Sequence, residues 1–236
     1  MKKRIIFVLN TLGWVLLMLA LVFFCIRVIG LNPEYYYRLQ LKAGADKTAG
    51  ISQKDMLLLD VNLANYLGGE AESPNAVVEV YGQLQPAFNE KELIHLADCR
   101  RLFAPVVNPW LNAFAAVSGV ALVFCGWRAN KPRVLSVWVA AAVIILPLAV
   151  FALWAAVDFS SAFVFFHRLL FTNNLWLLNP VTDLLIRICP ASMFAGLGLR
   201  IGMSCAAFLL GLPLLLTVLN RISEKRKKDT NEIPQI

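Results

Sequence analysis

Charge is scarce in this sequence. Asp, Glu, Lys and Arg make up 16% of its 236 residues, hydrophobic residues make up 59%, and the mean hydropathy is +0.66. A soluble globular domain carries about a quarter charged residues, so this shortage excludes an ordinary water-soluble fold. Histidine is nearly absent, with two residues, and cysteine is limited to five. No HExxH or CxxC spacing occurs, which removes the commonest sequence signs of a zinc site or a dithiol centre. There is no GxSxG either, and Ser160, Ser161 and Ser192 stand in no nucleophile context. Phosphate-binding glycine loops, base-stacking patterns, internal repeats and low-complexity tracts are all missing. The net charge of +7 is therefore not a nucleic-acid signature.

What the sequence has in quantity is long apolar runs. A bilayer crossing needs roughly 20 residues of helix. Four runs meet that length, at about 5–29, 111–127, 134–157 and 194–219. The expected fold is an all-α membrane protein with a bundle of four transmembrane helices, forming a single membrane domain over residues 1–236. The first run has too long an apolar core for a cleaved signal peptide, and no small-x-small site follows before Asn32-Pro33, so it reads as an uncleaved anchor.

The basic residues set the orientation. Met1-Lys2-Lys3-Arg4 precedes the first run, Arg128 through Arg133 joins the second to the third, and Arg221 through Lys228 follows the fourth. All three segments fall on one side of a four-span topology, and the positive-inside rule makes that side the cytoplasm. Residues 31–105 and 158–193 then face outward, and 221–236 is a cytoplasmic tail, disordered from Lys227 onward.

The outward segments carry the polar chemistry. Residues 31–105 are expected to be a mainly helical insertion. Tyr35, Tyr36 and Tyr37 read as an interfacial aromatic belt. Ser52 caps a helix whose Met56, Leu59, Leu63 and Leu67 recur at helical spacing before Gly68-Gly69. A short strand is expected over Val77–Tyr81, ending at Gly82, and Asn89 caps a second polar helix. Residues 158–193 hold too many aromatics for a solvated loop, so that segment is expected to be re-entrant or interfacial. The spans contain almost no charge for an ion pathway, which argues against a transporter. Arg200 is the exception, expected to snorkel.

Both histidines lie in these outward segments. His95 shares a helix face with Asp98 three residues on, and a carboxylate there would orient the ring. His167 follows an aromatic run and precedes Arg168, with Asp158 upstream where the third span exits. Imidazole titrates near neutrality and suits general acid/base chemistry. Two His with an Asp would also satisfy zinc, but without tight spacing proton transfer is preferred and no metal or other cofactor is expected. Residue types alone leave both catalysis and an ordinary interfacial role open. Cys25, Cys125 and Cys205 fall in spans as apolar filler, while Cys99 and Cys189 face outward and are read as free thiols.

A longer pattern joins these residues. Phe88 through Asp98 (FNEKELIHLAD), then Asp158-Phe159, then H-x-x-x-F-x-N-x-x-W-x-x-x-P-x-x-D from His167 to Asp183 with Pro190 closing, resembles the bacterial lipoprotein intramolecular transacylase family. The resemblance implies an enzyme that acts on lipoproteins whose N-terminal cysteine carries a diacylglyceryl group. It would move the sn-2 acyl chain from glycerol oxygen to the cysteine amino group, giving an N-acyl lyso-lipoprotein. The family's two essential histidines fall on His95 and His167. The chain departs from the pattern at Arg168, where Glu is common, and at Asn174, where Asp is common, so neither position is assigned an acid. Donor and acceptor on one substrate account for the missing nucleophile. Asn173, Asn174, Trp176 and Arg168 are candidates to hold the oxyanion. His167 is read as the base and His95 as proton donor or orienter. The rival reading is a non-enzymatic membrane receptor or chaperone for lipidated peptides.

Overall fold

The computed structural model describes residues 2–130 and 134–231. In chain order its elements are α1 (Lys2–Gly30), α2 (Pro33–Lys42), α3 (Ala45–Ala49), α4 (Gln53–Gly68), β1 (Val77–Val80), β2 (Gln83–Pro86), α5 (Glu90–Val107), α6 (Pro109–Asn130), α7 (Val134–Val157), α8 (Phe159–Leu170), α9 (Leu184–Ile188) and α10 (Ala191–Asn231). Four helical stretches are long and apolar enough to cross a membrane, and the protein is a four-span membrane protein. Two of them are α1 and α7, and α10 is a third. In the remaining one, α5 runs into α6, and its charged start from Glu90 to Arg101 cannot lie in hydrocarbon, so the crossing belongs to α6. Residues 131–133 of the basic connection and residues 232–236 of the expected tail lie outside the described residues. The rest of that tail is a correction: α10 continues through the basic stretch to Asn231 rather than ending at residue 219.

The chain packs as two compact units. The first comprises Met1–Val22, Asn112–Ala149 and Met203–Ile236. Here α1 and α6 touch backbone to backbone: a Cβ on Gly13 would sit 3.0 Å from the Gly119 carbonyl oxygen, and one on Gly119 would sit 2.9 Å from that of Gly13. Lipid chains give apolar helices no hydrophobic reason to associate, so close approach at small residues carries the packing. Polar side chains pair across the same unit, with Ser136 Oγ donating to Asn10 Oδ1 at 3.0 Å and Trp138 Nε1 to Thr217 Oγ1 at 3.1 Å.

The second unit comprises Phe23–Leu111 and Val150–Gly202. Its core is one cluster in which the expected stripe of α4 (Met56, Leu59, Leu63, Leu67) meets Tyr36, Phe88, Leu96, Leu184 and Ile188. Tyr36 corrects the aromatic-belt expectation, because it is buried and its hydroxyl donates to the Gly30 carbonyl. Tyr35 donates to Gly196 O at 3.3 Å, and the exposed Arg200 places its guanidinium over the Tyr35 ring at 4.7 Å. The expected strand is half of a hairpin, because Tyr81 (φ 49) and Gly82 (φ 82) form a two-residue turn with both φ positive, the kind that matches strand twist. Gln40 and Asp60 are fully buried in this unit, with Gln40 Nε2 donating to Asp60 Oδ1 at 2.8 Å. Gln40 Oε1 and Asp60 Oδ2 have no partner. Burial drives the Asp60 carboxyl up to about 7, against the opposing pull of the Gln40 hydrogen bond.

Residues 158–193 resolve into α8, a connecting loop and α9. The 12 residues of α8 rise about 18 Å, too little to cross a bilayer. One side of α8 buries His167 and half-buries Phe163 and Val164, while Phe165, Phe166 and Leu169 on the opposite side are exposed, which leaves this short helix an apolar outer face.

Candidate active site

Local sequence chemistry fixes the start of α5 before His95. Asn89 Oδ1 accepts from Glu92 N at 3.1 Å and Glu92 Oε2 accepts from Asn89 N at 2.8 Å, a reciprocal capping box. The other Glu92 oxygen accepts from Leu185 N at 2.6 Å. Asn89 Nδ2 donates to Asp183 Oδ1 at 3.0 Å, and Lys91 Nζ lies 3.5 Å from Asp183 Oδ2. The first turn of the His95 helix is thus bolted to the segment that follows His167. Burial raises the Glu92 carboxyl above its ordinary value, with the two backbone donors pulling the other way.

α8 brings in His167 from the other side. Asp158 caps this helix, its carboxylate accepting from Ser161 N at 3.0 Å. The ring centroids of His95 and His167 are 6.2 Å apart, with the planes inclined at 36°. Both rings are more than nine-tenths buried, at 7% and 8% exposure. Aromatic side chains enclose them: Phe171 lies 5.1 Å from His95 and 5.5 Å from His167, while Phe163 and Trp176 lie 4.0 and 5.0 Å from His167.

The hydrogen bonds fix what each ring offers. His167 Nδ1 is 2.8 Å from the Phe163 carbonyl oxygen, which can only accept. Nδ1 therefore carries the proton, and Nε2 presents a lone pair. Burial lowers the His167 pKa, against the opposing effect of that carbonyl. His95 is pushed down to about 4, by burial first and then by His167, with Asp98 acting in the other direction. Both imidazoles are neutral at physiological pH. His95 Nε2 faces Cys99 Sγ at 3.6 Å, and His95 Nδ1 is buried with no partner.

The other candidates divide clearly. Among the described residues no hydrogen bond or ion pair joins Asp98 to His95. Its carboxylate accepts from Arg101 and from Asn173 Nδ2, at 2.8 and 2.7 Å, and so holds the loop after α8. Trp176 is buried against His167, but its indole N–H is committed to the Asn173 carbonyl at 3.0 Å. Asp158 is an exposed cap nine residues, about 13 Å of helix, from His167. Arg168 and Asn174 are exposed, with the Asn174 carbonyl accepting from Leu177 N. Among the described residues no group of three or more His, Cys, Asp or Glu converges on a point that would hold a metal. Cys99 and Cys189 are both free thiols.

Sequence reasoning passed over four participants. Cys99 stands one helical turn from His95, a spacing that was there to be read. Glu92, three residues after the expected cap Asn89, likewise completes a capping box. Asp183 stood in the motif without a role. The Phe163 carbonyl has no side-chain signature.

A polytopic membrane fold with two buried imidazoles side by side, and a thiol next to one of them, defines a membrane protein with one enclosed candidate site. The family model for lipoprotein intramolecular transacylase Lit matches residues 11–194, and the chain belongs to that family of membrane-integral acyltransferases. This membership sets aside the non-enzymatic receptor reading. Among solved structures, the chain is similar to the membrane-integral Lit of Bacillus cereus determined in meso, at 18% identity over 96% of this chain and 98% of that one, with a TM-score of 0.68. A variant of the Bacillus cereus protein with one histidine-to-arginine mutation matches at 18% identity, over 97% and 95%, with a TM-score of 0.64. At that identity the likeness shows the fold. No curated protein matches the chain.

Proposed function

We propose that this protein moves the sn-2 acyl chain of a diacylglyceryl-modified lipoprotein from glycerol oxygen to the α-amino group of the N-terminal cysteine, with His167 as general base. The observation that carries this reading is the commitment of His167 Nδ1 to Phe163 O, which leaves Nε2 as an acceptor beside a second buried imidazole. The substrate amine adds to the ester carbonyl carbon while His167 Nε2 takes its proton. A tetrahedral oxyanion forms, and the partnerless Nδ1 of His95 is the donor available to it. Collapse breaks the bond to glycerol oxygen, and the proton on His167 passes to that oxygen. One ester and one amine become one amide and one hydroxyl, without a covalent enzyme intermediate. Ester and amine sit on one molecule, so orientation supplies much of the rate.

Asp98, Asn173 and Trp176 act by holding the loop against the rings. The basic flanks support cytoplasmic termini, which sets the histidines on the extracytoplasmic side of the cell membrane, where lipidated lipoproteins and membrane lipid are the partners. Residues 31–105 and 158–193 supply the site, and residues 221–236 stay cytoplasmic.

The test is mass spectrometry of lipoprotein N-termini from bacterial cells that depend on this protein for N-acylation. The wild type is expected to yield N-acyl lyso-lipoprotein, and separate His95→Ala and His167→Ala variants to leave the diacylglyceryl form. Retention of N-acylation by both variants would overturn the reading.

A further inference from the structure

The pairing at His167 leaves open what fixes the tautomer of His95. A neutral imidazole carries one proton, and only the Nδ1–H form of His95 can donate to the reaction. Its Nδ1 is buried with no hydrogen-bond partner among the described residues, while its Nε2 lies 3.6 Å from the thiol of Cys99.

We propose that Cys99 is a positioning residue: its S–H donates to His95 Nε2 and so holds His95 in the Nδ1–H tautomer. This inference rests on the role proposed above for His95. Three observations support it. The thiol and the ring lie four residues apart on α5, so the helix sets them on one face, and the sulfur lies 3.6 Å from Nε2. An imidazole lone pair is a far better acceptor than a thiol sulfur, so the proton between them belongs to sulfur. Burial first, and Asp98 second, push the Cys99 thiol up to about 12, so it keeps its hydrogen at physiological pH. Cys99 is then neither a nucleophile nor half of a disulfide. The two histidines present opposite faces: His167 is locked by a carbonyl as an acceptor, and His95 is locked by a thiol as a donor.

The protein contains two histidines, so 15N-histidine labelling gives two ring systems, which His95→Ala and His167→Ala variants assign. The experiment records 15N ring shifts of the full-length protein in detergent or lipid, beside turnover on a synthetic diacylglyceryl lipopeptide. In the wild type both rings should show the Nδ1–H tautomer. Cys99→Ala and Cys99→Val, both checked for folding by gel filtration, should shift His95 to a mixture dominated by Nε2–H. They should also lower kcat about tenfold, with KM changed less than twofold. A His95 tautomer that stays Nδ1–H in either folded variant overturns the proposal, even if activity falls, because lost packing alone would do that. Full activity in His95→Ala would instead overturn the catalytic reading, while the ring shifts still judge Cys99.

Discussion

Asp60→Asn should make the protein more stable at pH 8 and scarcely more stable at pH 4. Asp60 is fully buried, and its only hydrogen bond comes from Gln40. Its folded-state pKa of about 7 stands above the ordinary 3.8 of an unfolded aspartate. For a raised pKa, the stabilising contribution is fully present below the unfolded value and is lost as pH rises through the folded one. Three units at about 1.36 kcal/mol each put the loss near 4 kcal/mol at pH 8. At pH 5 the same arithmetic leaves under about 2 kcal/mol, because the folded carboxyl is then protonated and the unfolded one only just ionised. Asparagine removes the charge and keeps the shape. It also places an N–H₂ where Oδ2 stood, and that group can donate to Gln40 Oε1, which has no partner. The amide pair is therefore satisfied in both directions at every pH. The assay is chemical or thermal unfolding of both proteins in one detergent at pH 5 and pH 8, read as the difference between them. That difference matters because His95 titrates with the opposite sign in an overlapping window, so the wild-type curve alone would look flat. An Asp60→Asn protein less stable than wild type at pH 8, or a difference that does not shrink on acidification, would refute the argument.

Four further outcomes follow from other parts of the fold. His95, with a folded pKa of about 4 against 6.5 unfolded, contributes stability present above 6.5 and lost towards 4, about 3 kcal/mol in all, so His95→Gln should unmask the opposing Asp60 titration and gain stability from pH 8 to pH 5 where the wild type stays nearly flat. NMR titration should place the His167 midpoint below that of an ordinary histidine; a midpoint above 6.5 would contradict its burial. Asp98→Ala and Asn173→Ala should each cost stability, and a double-mutant cycle should show a coupling of about 0.5–3 kcal/mol, whereas simple additivity would mean that the 2.7 Å contact contributes nothing. Gly13→Leu or Gly119→Leu should destabilise the helix contact by at least about 1–3 kcal/mol, because the new side chain must displace backbone and not merely a flexible tip.

The spans were legible because a bilayer imposes a length and a composition that no other setting imposes together, and the helix limits fall within a few residues of the apolar runs. α10 overran its expected end because Arg221–Lys228 lacks any helix breaker. The stripe on α4 was legible for the same reason of periodicity. Tyr36 was not, since an aromatic beside a span reads equally as belt or core until its neighbours are known. At the site, the histidines stood out by rarity and motif, but their chemical partners did not. Asp98 shares a helix face with His95, yet Asn173 claims its carboxylate from 75 residues away, a choice no local spacing encodes. Asp158 precedes His167 in sequence, but helical rise carries it out of reach. The group that determines the His167 tautomer is a backbone carbonyl, which every residue owns.

The carboxylate of Glu92 reaches Leu185, 93 positions further along the chain, and Asn89 reaches Asp183 over 94. During synthesis the His95 helix emerges long before its anchor, with two bilayer crossings still to be made in between. Until residues 183–185 arrive, the first turn of α5 has its cap but no outside hold, and neither imidazole has its neighbour. The candidate site is therefore incomplete until residues 183–185 have been made.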